Sequence, residues 1–260
     1  LDTIGPMART AADNAAMLAA FAGRDPKDPT SLVAPVPDYL AGLDGVNGLR
    51  GYRIAVDRAF LDRTDGETRA AIEAALAVMA DLGAVIVERA LPVSLSELDA
   101  VTLAQTHITH AECAGVHRDL FARSPELFGA ELTGAIRAGL ALDPVDLARA
   151  YILRDRFAAQ MAAFFAGGVD ALAAPITPTV GTRYDEKAEA MADLVRFLGF
   201  TAPFNMARGP SITFPVGIAE VGMPIGLQLI GPHLAEAPLL AAAHAYQQAS
   251  DWHLRRPPVG

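Results

Sequence analysis

From about Leu95 to Gly168 the sequence keeps helical periodicity with little interruption, and the short strand candidates lie outside that stretch. Tyr52–Asp57 and Ala84–Val87 come before it; Ala171–Pro175, Ser211–Val216 and Ile225–Ile230 come after it. Each is a short apolar or β-branched run bounded by Gly or Pro, which is the pattern of a strand. Between the first two, Gly66–Leu82 carries Ile72, Leu76, Met79 and Ala80 at helical spacing and stops at Gly83. That strand–helix–strand order points to an α/β architecture. No linker composition separates the helical stretch, roughly residues 95–168, so it reads as a helical insertion into one domain.

Local signals place the other helices. Thr10 suits the N-cap of a helix over Ala11–Ala22, with Gly23 just past its end. A loop rich in Asp, Pro and Gly runs from Arg24 to Gly51. Asp143 followed by Pro144 starts a helix that can reach Ala166, because proline suits the first turn and aspartate caps its free N–H groups. A last helix spans about Glu236–Ser250.

Hydrophobic residues make up 52% of the chain, enough for a sizeable core, yet no apolar run approaches the ~20 residues of a membrane span. Net charge is −9 and the 21 basic residues are scattered, which argues against a nucleic-acid surface. The single cysteine, Cys113, forms no disulfide within the chain and fits a reducing, cytoplasmic setting. The first residue is Leu1 and no signal-peptide pattern precedes the domain, so the chain is expected to open in mid-domain.

Three groups of residues could carry chemistry. His107, His110, Cys113 and His117 have zinc-like residue types, but one helix offers no second ligand set and no partner motif occurs elsewhere. Ser211 enters a strand after Gly209-Pro210, where a side chain could face a pocket, although a small residue there is more often packing. The only lysines, Lys27 and Lys187, sit among acidic residues and prolines and look like solvated charges. Arg154 is the most informative position. At about 100° per residue, Leu147, Tyr151, Ala158, Met161 and Phe165 form one apolar stripe with Arg154 in its middle, while Arg149, Asp155, Arg156 and Gln160 point away. A guanidinium on an inward face needs a partner or a pocket, or reaches water over a buried stem.

The two ends of the chain are more specific. Leu1-Asp2-Thr3-Ile4-Gly5-Pro6-Met7-Ala8-Arg9-Thr10, with Asp13, resembles the segment that follows the signature region of amidase-signature enzymes. Asp170-Ala171-Leu172 with Pro175 and Pro178 is similar to their D-x-L … P-x-x-P strand. Thr201, Pro203, Asn205 and Gly209–Gly217 resemble the T-x-P-x-N … S-x-P-x-G block, and Gly222–Gly231 resembles the block after it. The four blocks stand in family order.

This resemblance implies the C-terminal part of a single amidase-signature domain over 1–260: a mixed β-sheet covered by helices on both faces. It implies hydrolysis of a small-molecule amide by a serine nucleophile, a second serine and a lysine base, with no metal or organic cofactor. Those residues belong to a Gly-Gly-Ser-Ser-type loop and an upstream lysine that do not occur here, so no residue of this chain inherits a catalytic role. Arg154 falls where some members place an arginine that lines the substrate cavity, and Ser211 would support the cavity wall. Arg208 stands where the family usually has glycine, with Gly209 one step later, which either brings a charge to the pocket or shifts a turn. Leu198 stands where glutamine-using relatives place a carboxylate, which argues against glutamine as substrate.

The alternatives are an amidotransferase A-subunit relative that passes ammonia to a partner, and a non-catalytic remnant or binding module. A homodimer is kept open; a nucleic-acid or membrane partner is not expected. Made alone, residues 1–260 are expected to fold poorly, because a sheet missing strands bares an apolar edge. A sharp cooperative melt of the isolated chain at mesophilic temperature would contradict that expectation.

Overall fold

The strand candidates on either side of the helical stretch join one sheet. The computed structural model describes residues 1, 3–43, 48–183, 185 and 193–257. The chain forms two units. One comprises Leu1–Thr3, Leu91–Phe164 and Tyr184–Arg208; the other comprises Ile4–Ala90, Phe165–Arg183 and Gly209–Gly260. Lys187 lies outside the described residues, whereas Lys27 is exposed as its acidic surroundings suggested.

The second unit holds the sheet. Its strands are β1 (Arg53–Val56), β2 (Val85–Glu88), β3 (Ala171–Pro175), β4 (Ser211–Ile218) and β5 (Pro224–Ile230), in the order β2-β1-β3-β5-β4. β1 is parallel to β2 and β3, while β5 is antiparallel to β3 and β4, so the sheet is mixed. The β4–β5 register slips between Pro215 and Gly217, where proline has no N–H to give to the ladder.

Helices α1 (Ala11–Phe21), α2 (Arg58–Leu61), α3 (Gly66–Asp81) and a C-terminal helix (Glu236–Gln248) complete this unit. Thr10 caps α1, its hydroxyl accepting from the Asp13 N–H at 3.0 Å. Asp65 caps α3 in the same way through the Thr68 N–H at 2.7 Å. Ile72, Leu76 and Met79 of α3 are buried as their spacing predicts, but Ala75 takes the inward place expected of Ala80. They pack with Leu239, Ala242, Ala243 and Tyr246 of the C-terminal helix against Ile54, Val56, Ala171, Ala173, Leu227 and Leu229. Each large side chain buried this way contributes about 1.5–3 kcal/mol. The opposite row of the sheet, Ala55, Leu172, Ala174, Gln228 and Ile230, is buried as well. At one end of the chain Gln247 accepts from the Ala11 N–H at 2.8 Å, fastening the start of α1 to the C-terminal helix.

The first unit is helical throughout its regular structure among the described residues: α4 (Leu95–Arg123), α5 (Ala130–Ala141), α6 (Pro144–Ala166, to Phe164 in this unit), α7 (Leu194–Leu198) and α8 (Ala202–Ala207); the C-terminal helix of the sheet unit is α9. A capping box starts α4: the Ser94 hydroxyl accepts from the Glu97 N–H and the Glu97 carboxylate accepts from the Ser94 N–H. Asp143 accepts from the Val145 N–H at 2.7 Å at the head of α6, and the helix ends at Ala166 as its sequence suggests. Beyond that end, Arg89 donates to the Gly167 carbonyl at 3.0 Å and Arg53 to the Gly168 carbonyl at 2.6 Å, cations placed where the helix dipole favours them. No helix among the described residues is long and apolar enough to cross a membrane.

α4 and α5 approach each other through Gly139. A Cβ there would overlap the His110 carbonyl and stand 2.8 Å from the Ala114 Cβ, so the helix backbones can touch only if residue 139 has no side chain. Gly139→Ala is expected to cost about 1–3 kcal/mol by forcing the two helices apart. Urea unfolding of the longest chain that melts cooperatively would measure it, and an unchanged midpoint would refute the contact.

Candidate functional site

The buried line of α6 runs through Ala150, Phe157, Met161, Phe164 and Phe165. This line is displaced from the stripe read in the sequence, so Arg154 stands about 40° to one side of it instead of at its centre. The arginine is therefore at the shoulder of the helix. Its side chain is 19% exposed, whereas the side chain of Arg208 is 55% exposed.

Three charged side chains meet at this shoulder. Arg154 donates to Asp155 Oδ1 from Nε at 3.2 Å and from Nη2 at 3.1 Å. Arg208 donates to the same oxygen from Nη2 at 2.8 Å. On the other side of Arg154 the guanidinium lies over the Tyr151 ring, 4.7 Å from its centroid. The Tyr151 hydroxyl donates to Glu112 Oε1 of α4 at 3.4 Å. Burial raises the Tyr151 pKa, the Glu112 charge and hydrogen bond raise it further, and Arg154 opposes them, so the phenol stays protonated and a donor at neutral pH.

Arg154 and Arg208 are thus brought together, with Asp155 between them. Sequence reasoning set Asp155 aside as a surface residue and counted Tyr151 only as apolar. The signal it passed over was Tyr151 three residues before, and Asp155 directly after, an arginine on a half-apolar face.

Ser211 belongs to the sheet unit and not to this group. It is exposed as the first residue of β4, opposite Ile230, and β4 is an edge strand. No described side chain activates its hydroxyl as a base would. Leu198 ends α7 and is half-buried.

His107, His110, Cys113 and His117 all lie on α4. His117 packs edge-on against Phe128 with centroids 5.6 Å apart, and burial with the nearby His107 lowers the His110 pKa. Among the described residues no three His, Cys, Asp or Glu side chains gather into a metal-binding group.

Residues 208 and 209 divide two tasks that glycine usually performs. Arg208, at the C-cap of α8, adopts the left-handed conformation with φ 60° and ψ 25°. Gly209 is required for a different reason: a Cβ there would overlap the Gly231 carbonyl oxygen. The single glycine of the pair stands at the steric position, and the arginine takes the conformational one.

A family model described as Amidase matches residues 1–240. The glutamyl-tRNA(Gln) amidotransferase A-subunit of Synechococcus sp. strain JA-2-3B'a(2-13) is 34% identical over 283 residues, covering 100% of this chain and 54% of that protein. Its counterpart of the same name from Azoarcus sp. strain BH72 is 36% identical over 281 residues, covering 99% of this chain and 58% of that protein. The native peptide amidase from Stenotrophomonas maltophilia superposes with a TM-score of 0.72 at 33% identity, over 98% of this chain and 54% of that one. The chain therefore spans about half the length of the curated relatives it matches.

Gly209→Ala is expected to lower stability by about 2 kcal/mol or more, since backbone would have to move. Arg208→Gly relieves a left-handed residue at roughly 1–2 kcal/mol and removes an exposed ion pair of about 0–1 kcal/mol, so it should cost less stability than Gly209→Ala. Chemical unfolding of both variants checks the division; a large loss in Arg208→Gly would show that the ion pair outweighs the strain.

Proposed function

The chain belongs to the Amidase family, and from that premise we propose that the protein of which it forms part hydrolyses a carboxamide C–N bond. The match over residues 1–240 carries the reading. In this reaction the acyl carbon exchanges nitrogen for a water-derived oxygen, and the nitrogen takes up a proton and leaves as ammonia or an amine. The nucleophilic serine, its proton-relaying serine and the lysine base are assigned to the part of the protein before Leu1. This chain supplies scaffold and one side of the cavity. Arg154, steadied by Asp155 and joined by Arg208, lines the substrate cavity, and Ser211 of the sheet unit is a separate candidate for substrate contact. Cys113 as the lone cysteine fits a reducing cytoplasmic setting.

A second reading is an amidotransferase A-subunit, favoured by the names of the relatives at 34% and 36% identity. In that case the ammonia released from glutamine passes to a partner. Leu198 weighs against it, because an apolar side chain leaves a substrate amino group without a counter-charge.

The full-length protein is expected to hydrolyse at least one member of a panel of aliphatic, aromatic and amino-acid amides, with ammonia or amine release as the readout. Turnover of glutamine alone would transfer the assignment to the second reading, and no turnover of any amide would defeat both. Arg154→Met should change kcat/KM by about tenfold or more on the active substrates, as for loss of a charged hydrogen bond. Unchanged kinetics on all of them would make Arg154 structural.

A further inference from the structure

The neighbour beneath Arg154 is as informative as the carboxylate beside it. Tyr151 precedes Arg154 by three residues on α6, so the two side chains share a face of the helix. Long side chains on a helix lean back toward its N-terminus, which carries the Arg154 guanidinium over residue 151. The observed 4.7 Å between guanidinium carbon and ring centroid is a cation–π contact. The ring is itself held, half-buried on the helix with its hydroxyl on Glu112 of the neighbouring α4.

Asp155 alone would hold Arg154 poorly. It is exposed, it follows Arg154 directly on the chain, and it shares the accepting oxygen with Arg208. A single oxygen that accepts from both Nε and Nη2 fixes the direction of the guanidinium but leaves it free to swivel about that point. A flat ring on one side removes that freedom. We infer that Tyr151 is a positioning residue for Arg154, its ring setting the plane in which the guanidinium meets the substrate. This rests on the reading that Arg154 faces the substrate, and the test separates the two.

In the full-length enzyme, Tyr151→Leu is expected to raise KM about three- to thirtyfold, the range a desolvated cation–π contact supports, with kcat changed by less than about twofold. Tyr151→Phe keeps the ring and should stay within about twofold of wild type. In an Arg154→Met background Tyr151→Leu should have no further effect, because the contact it removes is already gone. Additive losses in that background would overturn the inference, and so would equal losses for Phe and Leu. Tyr151→Gln, unbranched and suited to a helix, takes the place of Leu should Leu fail to fold.

If Arg154→Met leaves every substrate's kinetics unchanged, the substrate-facing reading fails, and the contact is judged by NMR instead. The Arg154 Hε resonance is expected to be shifted upfield by the Tyr151 ring, with the shift kept in Tyr151→Phe and lost in Tyr151→Leu. An unshifted resonance in the wild-type protein overturns the positioning role whatever the kinetics show.

Discussion

Every residue of β3 is buried, and three of the five are alanines. The strand is parallel to β1 on one side and antiparallel to β5 on the other, so the change from parallel to antiparallel pairing takes place at a strand that water does not reach on either face. Such a strand cannot alternate apolar and polar residues; it must be covered twice. Leu172 is its only large side chain, which means that the layers above Ala171, Ala173 and Ala174 have to come close or leave voids. Pro175 ends the ladder with a carbonyl that needs a donor, and the buried Gln228 supplies one from its side-chain amide at 2.7 Å. A polar residue between Leu227 and Leu229 is explained by that bond, since its burial without one would cost more than an aliphatic replacement.

The helical unit meets a different constraint. α4 and α5 touch backbone to backbone at Gly139, so there the helix spacing is fixed by a missing side chain and not by interlocking large ones. The polar chain from Glu112 through Tyr151, Arg154 and Asp155 to Arg208 then spans α4, α6 and the end of α8. Its members are exposed to different degrees, and Arg154, with contacts on two sides, is less exposed than Arg208.

Much of this was legible in the sequence because it is encoded locally. Thr10 and Asp143 start their helices through side-chain caps, and a short polar side chain at such a boundary reads the same in any fold. The strands were legible for the same reason, to within a residue or two. The pairing order was not, because Ala171–Pro175 carries no sign of which neighbours it takes or in which direction. The four family blocks supplied what local patterning could not, namely a mixed sheet. Arg154 was found by its place on a helical wheel, but the wheel gives the apolar stripe and not the buried line, and these differ whenever a helix is covered unevenly. Asp155 and Tyr151 went unrecognised because their roles depend on where one guanidinium points. Ser211 was weighed as a pocket residue from its Gly-Pro context, and it stands exposed at the start of β4, opposite Ile230.

Arg208 tests whether stability alone can account for this group. A left-handed arginine costs about 1–2 kcal/mol relative to glycine, and an exposed pair with Asp155 returns about 0–1 kcal/mol. Gly209 cannot take over the turn, because position 209 has its own steric demand. The arginine thus brings a charge to Asp155 from a left-handed backbone. A left-handed arginine in this place directs attention to what the charge does. Here it takes a share of the carboxylate that also holds Arg154, so the strength of the Arg154–Asp155 bond depends on Arg208. Tyr151 is then the second contact of Arg154, a ring on the side away from the carboxylate that Arg208 shares.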